Sequence, residues 1–397
     1  MNQLSDRIKK LGESATLKMA KKSREMRGQG IDVISFSLGE PDFDSPDFIK
    51  DSAKKALDDG WTYYPPVNGY LDLREAICNK LKRDNDLHFE PEQVVVSTGA
   101  KQSLANLVYS LVNPGDEVLV PAPFWVTYPE QVELAGGKVK TISTTVENAY
   151  KFTAAQLDDA LTQQTKMLIY SSPSNPSGSS FTRDELAEIA KVIEKYPNLI
   201  VVSDEMYEYI TFDGTHESLG QFPAIREQVV IVNGVSKGFA MTGFRLGYMA
   251  GPLWLAKACT KFQGQITSGT NSIAQRAMIT AMEADASSIS HFVETFRKRR
   301  DLILGLLSEI PDIKTSIPTG AFYVLPDVSA YFGKSHDGFV VNNSEDFSLY
   351  LLQEGHVALV AGAAFGVPNC VRISYASSDE QIIEGMKRIK ETLAKLS

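Results

Sequence analysis

The sequence predicts an α/β fold, with a large domain on a mostly parallel sheet covered on both faces and a smaller α+β domain beside it. Three observations carry this. Across the middle of the chain, short β-branched apolar runs alternate with longer helical patterns, and runs apolar at every position belong to strands buried on both faces. The length of 397 residues exceeds what one core ordinarily serves, so a second domain is expected. Near residue 286 the alternation gives way to a long polar helical stretch followed by scattered short strands.

The elements follow in order. QVVVS (93–97) reads as a strand that passes through Thr98-Gly99-Ala100 into the helical KQSLANLVYSLV. NPGD (113–116) turns the chain into the strand EVLVPAP. KMLIYSSP (166–173) is the next strand, and the helix after it opens with Thr182 and Glu185 at capping-box spacing. LIVVSDE (199–205), QVVIVNGVS (228–236) and RLGYMAGP (245–252) supply three more apolar strands. These elements make the large domain, residues 45–285. Then come the helix ASSISHFVETFRKRRDLILGLLSEI, the strand-like GAFYVLPDV, a helix near 344–355, VALVAG, CVRISYA and a final amphipathic helix. Residues 1–44 are expected to join 286–397 as the smaller domain.

Composition narrows the function. Hydrophobic content of 43% with 22% charged residues is that of a soluble globular protein. A net charge of −9 argues against a nucleic-acid binder, which needs a basic face, but leaves room for a local basic pocket. No run reaches the length of a membrane span, and MNQLSDRIKKLGES is charged throughout rather than apolar like a signal peptide, so the cytoplasm is expected. Cys78, Cys259 and Cys370 form no CxxC and the histidines show no ligand spacing, so no metal is expected.

Ligands of open α/β sheets bind at the carboxyl ends of strands, and several residues there are chemically pointed. Lys237 ends an apolar strand, where desolvation lowers a lysine's pKa and lets it form a Schiff base. Arg245, one short loop later, offers a fixed cationic fork for a phosphate. Gly99, Ala100 and Lys101 open a helix whose backbone N–H groups suit a phosphate, or serve only a tight turn. Asn175 stands in PSNPSG, which a turn alone would also explain. Asp204 follows apolar residues, where a carboxylate is costly unless paired or capping a helix. Trp125 is either core or a stacking plate for a flat ring. Arg372 lies in mid-strand and wants a carboxylate, internal or from a substrate. Aldehyde capture beside phosphate capture is what pyridoxal 5'-phosphate asks of a protein.

The succession SLGEPDF, YYPPVNG, STGAKQ, PFWVTYPE, SNPSG, SDEMY, SKGFAMTGFRLGY, GAFY and VRISYA resembles the fold type I, class I/II pyridoxal-phosphate aminotransferases over essentially the whole chain. Within them it is most similar to the bacterial aspartate aminotransferases whose N-terminal segment reads SAT, as Ser14-Ala15-Thr16 does. The resemblance implies that Lys237 bonds the cofactor and later shuttles the substrate's Cα proton. It implies Asp204 on the pyridine nitrogen, Tyr207 and Asn175 on the phenolic oxygen, and Trp125 stacked on the ring. The backbone at Gly99, Ala100 and Lys101, with Ser236 and Arg245, would hold the phosphate, and Tyr64 would reach the phosphate of a neighbouring subunit in a homodimer. Arg372, with Asn175, Trp125 and the backbone at Gly39, would grip the α-carboxylate of an amino acid or 2-oxo acid.

Lys101, with Ser14 and Thr16, would meet an acidic side chain, so aspartate and 2-oxoglutarate are the expected pair in a ping-pong reaction; a lysine that merely solvates the helix start is the competing reading. Aromatic, alanine or prephenate specificity, or a β-lyase, are alternatives on the same scaffold, and Tyr70 departs from the loop associated with prephenate users. Ala361 stands where relatives commonly have proline, which is expected to loosen a turn of the smaller domain. A regulator carrying this fold would need an added basic DNA-binding segment, and none is seen.

Overall fold

The computed structural model describes residues 3–397; Met1 and Asn2, assigned above to the smaller domain, lie outside the described residues. A seven-stranded sheet forms the centre, with strands β1 (Val94–Ser97), β2 (Glu117–Leu119), β3 (Lys138–Lys140), β4 (Thr165–Ser171), β5 (Ile200–Asp204), β6 (Val229–Gly234) and β7 (Gly247–Ala250). Their spatial order is β1-β7-β6-β5-β4-β2-β3. β2 to β6 pair in parallel, whereas β7 runs antiparallel to both of its neighbours, β1 and β6. β7 follows β6 through residues 235–246, a loop that holds no α-helix to carry a parallel crossover, and it runs antiparallel. Every residue of β1, β5, β6 and β7 is buried, which is why these runs lack polar alternation.

Helices cover both faces. Ala100–Leu111 and Leu253–Ile266 pack together on one side, against a cluster that includes Val95, Val118, Ile169, Val202 and Val232. The opposite side chains of the same strands, Val94, Val96, Leu168 and Val201, enter a second cluster with Leu73, Ile77 and Leu186. Arg183–Ile193 starts at the Thr182–Glu185 capping box, whose Oγ1 and carboxylate bonds are both formed.

The remaining chain builds smaller sheets. Tyr323–Val324, Val371–Ser374 and Val360–Ala361 form an antiparallel three-stranded sheet, and Val357–Ala358 pairs in parallel with Ile34–Ser35. The stretch expected as one helix over 286–310 begins as a 3-10 turn, Ala286–Ile289, and becomes an α-helix at Ser290–Ser308. Asp285 causes the change by capping the amide of Ser287 in the turn. Ala361 is buried and paired with Val371, with φ −59, the value proline would impose. The ladder supplies the restraint expected to be missing there, so this turn is not loosened.

Candidate functional site

The carboxyl ends of β1, β4, β5 and β6 converge on a cavity of about 330 Å³. Ser14, Thr16, Gly39, Ala100, Lys101, Trp125, Asn175, Asp204, Tyr207, Ser236, Lys237, Arg245 and Arg372 all line it. Gly99 stands directly behind the wall, and Tyr64 is elsewhere, 96% exposed on the surface. Sequence reasoning therefore brought together every expected site residue except the one assigned to a neighbouring subunit.

Each residue arrives by a local device. β6 ends at Gly234, and the short turn that follows carries Ser236 and Lys237 inward from a strand buried throughout. Lys237 Nζ donates to the carbonyl of Gly39 at 2.6 Å. Burial lowers its pKa to about 8; Glu40 opposes the drop, while Arg372 and Arg245 add to it. Asp204 is the last residue of β5, its Oδ2 accepting from the Tyr128 hydroxyl at 2.7 Å and its Oδ1 from the amide of Met206 at 3.2 Å. Burial pushes this carboxyl up to about 6, with those two donors pulling against it.

Arg372 sits in mid-strand with 2% exposure, donating to Asn175 Oδ1 at 2.9 Å and to the carbonyl of Ser37 at 2.5 Å. Its guanidinium lies between the rings of Tyr323 and Phe365, 4.6 and 5.0 Å from their centres, and its Nε has no partner among the described residues. The Tyr207 and Tyr323 hydroxyls share a hydrogen bond of 2.7 Å, and burial raises the Tyr207 phenol well above its ordinary range. Lys101 Nζ lies 4.9 Å over the Trp125 ring. Desolvation at the pocket wall, and next the charge of Arg245, lower its pKa.

The phosphate end meets a test of fit. Gly99 holds φ +80 as the residue before the helix Ala100–Leu111, and a Cβ there would lie 2.5 Å from Arg245 Nη2. Among the described residues the amides of Ala100 and Lys101 meet no acceptor. Among the described residues Arg245 bonds only to the carbonyl of Thr242, at 3.0 Å. Open amides at a helix start, facing an arginine without a carboxylate, form an anion cradle. Lys101, Lys237, Arg245 and Arg372 thus surround a cavity whose lining holds a single carboxylate, Asp204. In a chain of net charge −9 this local excess of cations calls for anionic ligands at more than one end.

Tyr128 and Tyr323 were not singled out by sequence reasoning. Tyr128 lies three residues after Trp125, its amide bonded to the Trp125 carbonyl in the turn that leads into the helix Thr127–Leu134, and Tyr323 ends GAFY; both were legible only as apolar ring positions. Glu205 departs from its neighbour because successive strand residues face opposite ways. It joins Glu208 and His216, whose ligand-type atoms all lie within 4.8 Å of one another. The histidine spacing gave no hint of this group. Lys80 donates to Glu208, and His216 Nε2 stands 3.0 Å from Glu205, so the cluster carries its own cations. It is a buried ion-pair network rather than an open metal site.

Known proteins place the chain in a family. A family model for aminotransferase class I and II matches residues 31–389. The chain is 43% identical to an aspartate/prephenate aminotransferase of Cereibacter sphaeroides over 99% of each chain. It is 42% identical to a bifunctional aspartate aminotransferase and glutamate/aspartate-prephenate aminotransferase of Petunia hybrida, covering 98% of this chain and 82% of the other. Among solved structures, the aspartate aminotransferase of Rhizobium meliloti superimposes with a TM-score of 0.96 at 36% identity, with both chains covered in full. That of Thermus thermophilus with maleate gives 0.93 at 37% identity, over 99% of this chain and 100% of the other.

Proposed function

Because the chain belongs to the class I and II aminotransferase family, a family of pyridoxal-phosphate enzymes with the type I fold, we propose that it moves the amino group of aspartate to 2-oxoglutarate. The observation that carries this reading is the placement of Lys101. Among the described residues it is a cation without a carboxylate partner, on the wall of the cavity that also holds Arg372. A dicarboxylate satisfies both cations at once; an aromatic or aliphatic amino acid satisfies one.

The chain's own residues divide the work. The open amides at 100–101, Ser236 and Arg245 would hold the cofactor's phosphate, and the Lys237 amine would be the group that holds its aldehyde. Bound pyridoxal phosphate supplies a conjugated ring that accepts the electrons left when the substrate's Cα–H bond breaks. Trp125 would stack on the ring, Asp204 would pair with its nitrogen, and Asn175 with Tyr207 would hydrogen-bond its phenolic oxygen. Arg372, held by Asn175 and Ser37 and clamped between two rings, fixes the substrate's α-carboxylate and so the direction of the Cα–H bond. With its pKa near 8, the Lys237 amine carries a proton between donor and acceptor positions at neutral pH. Ser14 and Thr16 close the cavity beside Lys101.

The same proposal includes a cytoplasmic homodimer, with Tyr64 reaching a partner's phosphate site. Its support is the nearly full exposure of Tyr63 and Tyr64 and the second face of Arg245, which lines an open depression together with Thr98 and Thr270. Residues 45–285 as one domain, with 1–44 and 286–397 as the other, complete it. No helix among the described residues is long and apolar enough to cross a membrane.

Prephenate as a further amino-group acceptor is a second reading, favoured by the aspartate/prephenate aminotransferases among the relatives and by the position of Tyr70. That residue packs on Trp61 and Arg276 outside the cavity, so its departure from the prephenate-type loop leaves the lining unchanged. The test is a panel of half-reactions followed by bleaching of the cofactor's visible band. Aspartate and glutamate should bleach it fastest. Faster bleaching by alanine or phenylalanine would overturn the acidic assignment, and an acceptor panel in the second half-reaction decides on prephenate.

A further inference from the structure

Tyr128 is a polar group of the cavity to which the preceding roles assign no task. It sits on the helix Thr127–Leu134, 1% exposed, its ring edge-on to Trp125 at 5.7 Å. Its hydroxyl donates to Asp204 Oδ2 at 2.7 Å. Ser171 lines the same cavity, is the register partner of Asp204 at the ends of β4 and β5, and its side chain acts against burial in lowering the phenol's pKa. Burial drives the phenol's pKa far up, so it stays a neutral O–H donor across the neutral range. Asp204 therefore has a donor on each oxygen. Of the charges acting on it, Lys237 favours the ionised form and Glu205 opposes it.

We propose that Tyr128 is a positioning residue that keeps the proton shared by Asp204 and the cofactor's ring nitrogen on the nitrogen. The inference rests on the reading of Asp204 as that nitrogen's partner. Two arrangements contain the same proton: a carboxylate beside a protonated nitrogen, or a carboxylic acid beside a neutral one. Passing between them breaks one N–H bond and forms one O–H bond, with no exchange with solvent. A donor bonds a carboxylate more strongly than a carboxylic acid, so the Tyr128 hydroxyl selects the first arrangement. Ser171, which favours the ionised phenol, makes that O–H a stronger donor. Removing it tips the balance toward the neutral pair by roughly tenfold. The nitrogen then withdraws electrons less well, which slows Cα–H cleavage while the carboxylate clamp at Arg372 is untouched.

The test uses holoenzyme loaded with pyridoxal phosphate labelled with nitrogen-15 in the ring. In the native protein the resonance should lie at the protonated position. In Tyr128→Phe it should move toward the neutral-pyridine position at every pH tested, with kcat for aspartate falling about tenfold and KM nearly unchanged. Ser171→Ala, which leaves the Tyr128 ring in place, should move it less and in the same direction. A resonance unmoved in both variants but displaced in Asp204→Ala overturns the role of Tyr128 and leaves that of Asp204 standing. A resonance unmoved even in Asp204→Ala overturns the pairing of Asp204 with the nitrogen, and the inference with it.

Discussion

Replacing Lys101 by alanine should separate acidic from other substrates. The ammonium lies over the Trp125 ring with no carboxylate partner, so in the free protein its loss removes only a cation–π contact. With a dicarboxylate bound, the loss also removes a charge-assisted hydrogen bond. Such a bond reaches about 3 kcal/mol when buried. Lys101 is open to solvent on one side, which screens the pair, so the lower end, about 1.5 kcal/mol or roughly tenfold, is the appropriate figure. Steady-state kinetics should show kcat/KM for aspartate down about tenfold, mostly through KM, with phenylalanine and alanine changed less than about twofold. Added salt should shrink the native preference for aspartate, because the contact is partly exposed. Equal losses for aspartate and phenylalanine would mean that Lys101 supports the cofactor or the fold and not the second carboxylate.

Other consequences follow from the same geometry. Gly99→Ala should weaken pyridoxal phosphate far more than pyridoxal in equilibrium dialysis, because the added Cβ closes on Arg245 Nη2; equal weakening would place the defect outside the phosphate cradle. The rate at which apoprotein captures the cofactor, followed by absorbance, should rise with pH through a midpoint near 8, set by the burial of Lys237; a midpoint above about 10, the unperturbed lysine range, contradicts it. His216 is buried, which disfavours its charge, yet Glu205 and Glu208 raise its pKa on balance. A raised folded-state pKa stabilises below the unfolded value near ~6.5 and is lost as pH climbs through the folded value. The melting-temperature gap between native apoprotein and His216→Gln should accordingly narrow from acid to alkaline pH, and a gap that widens would show the histidine to be neutral in the folded state.

Much of the site was legible because its residues break local rules. Lys237, Asp204 and Arg372 are charges at positions where an apolar strand gives no local reason for one, and a violated rule is visible in one dimension. The strands were legible for the complementary reason that burial on both faces erases polar alternation. What the sequence hid was mostly pairing. Nothing local says that the Tyr128 hydroxyl will reach Asp204, 76 residues later, or that Tyr207 and Tyr323, 116 residues apart, will share a proton. Lys80 reads as a surface lysine on an amphipathic helix, yet it is fully buried against Glu208. The turn at 286–289 was missed because one capping aspartate outweighed a helical pattern that continues on either side of it.

The central claim is that Lys237 is the amine that bonds pyridoxal phosphate. Borohydride reduction of the yellow holoenzyme fixes the cofactor to whichever amine holds it, and peptide mass mapping then reads the attachment site. The cofactor's added mass should appear on the peptide containing Lys237, with no such mass in Lys237→Ala and no turnover by that variant. Attachment at Lys101 or another lysine, or undiminished transamination by Lys237→Ala, would contradict it.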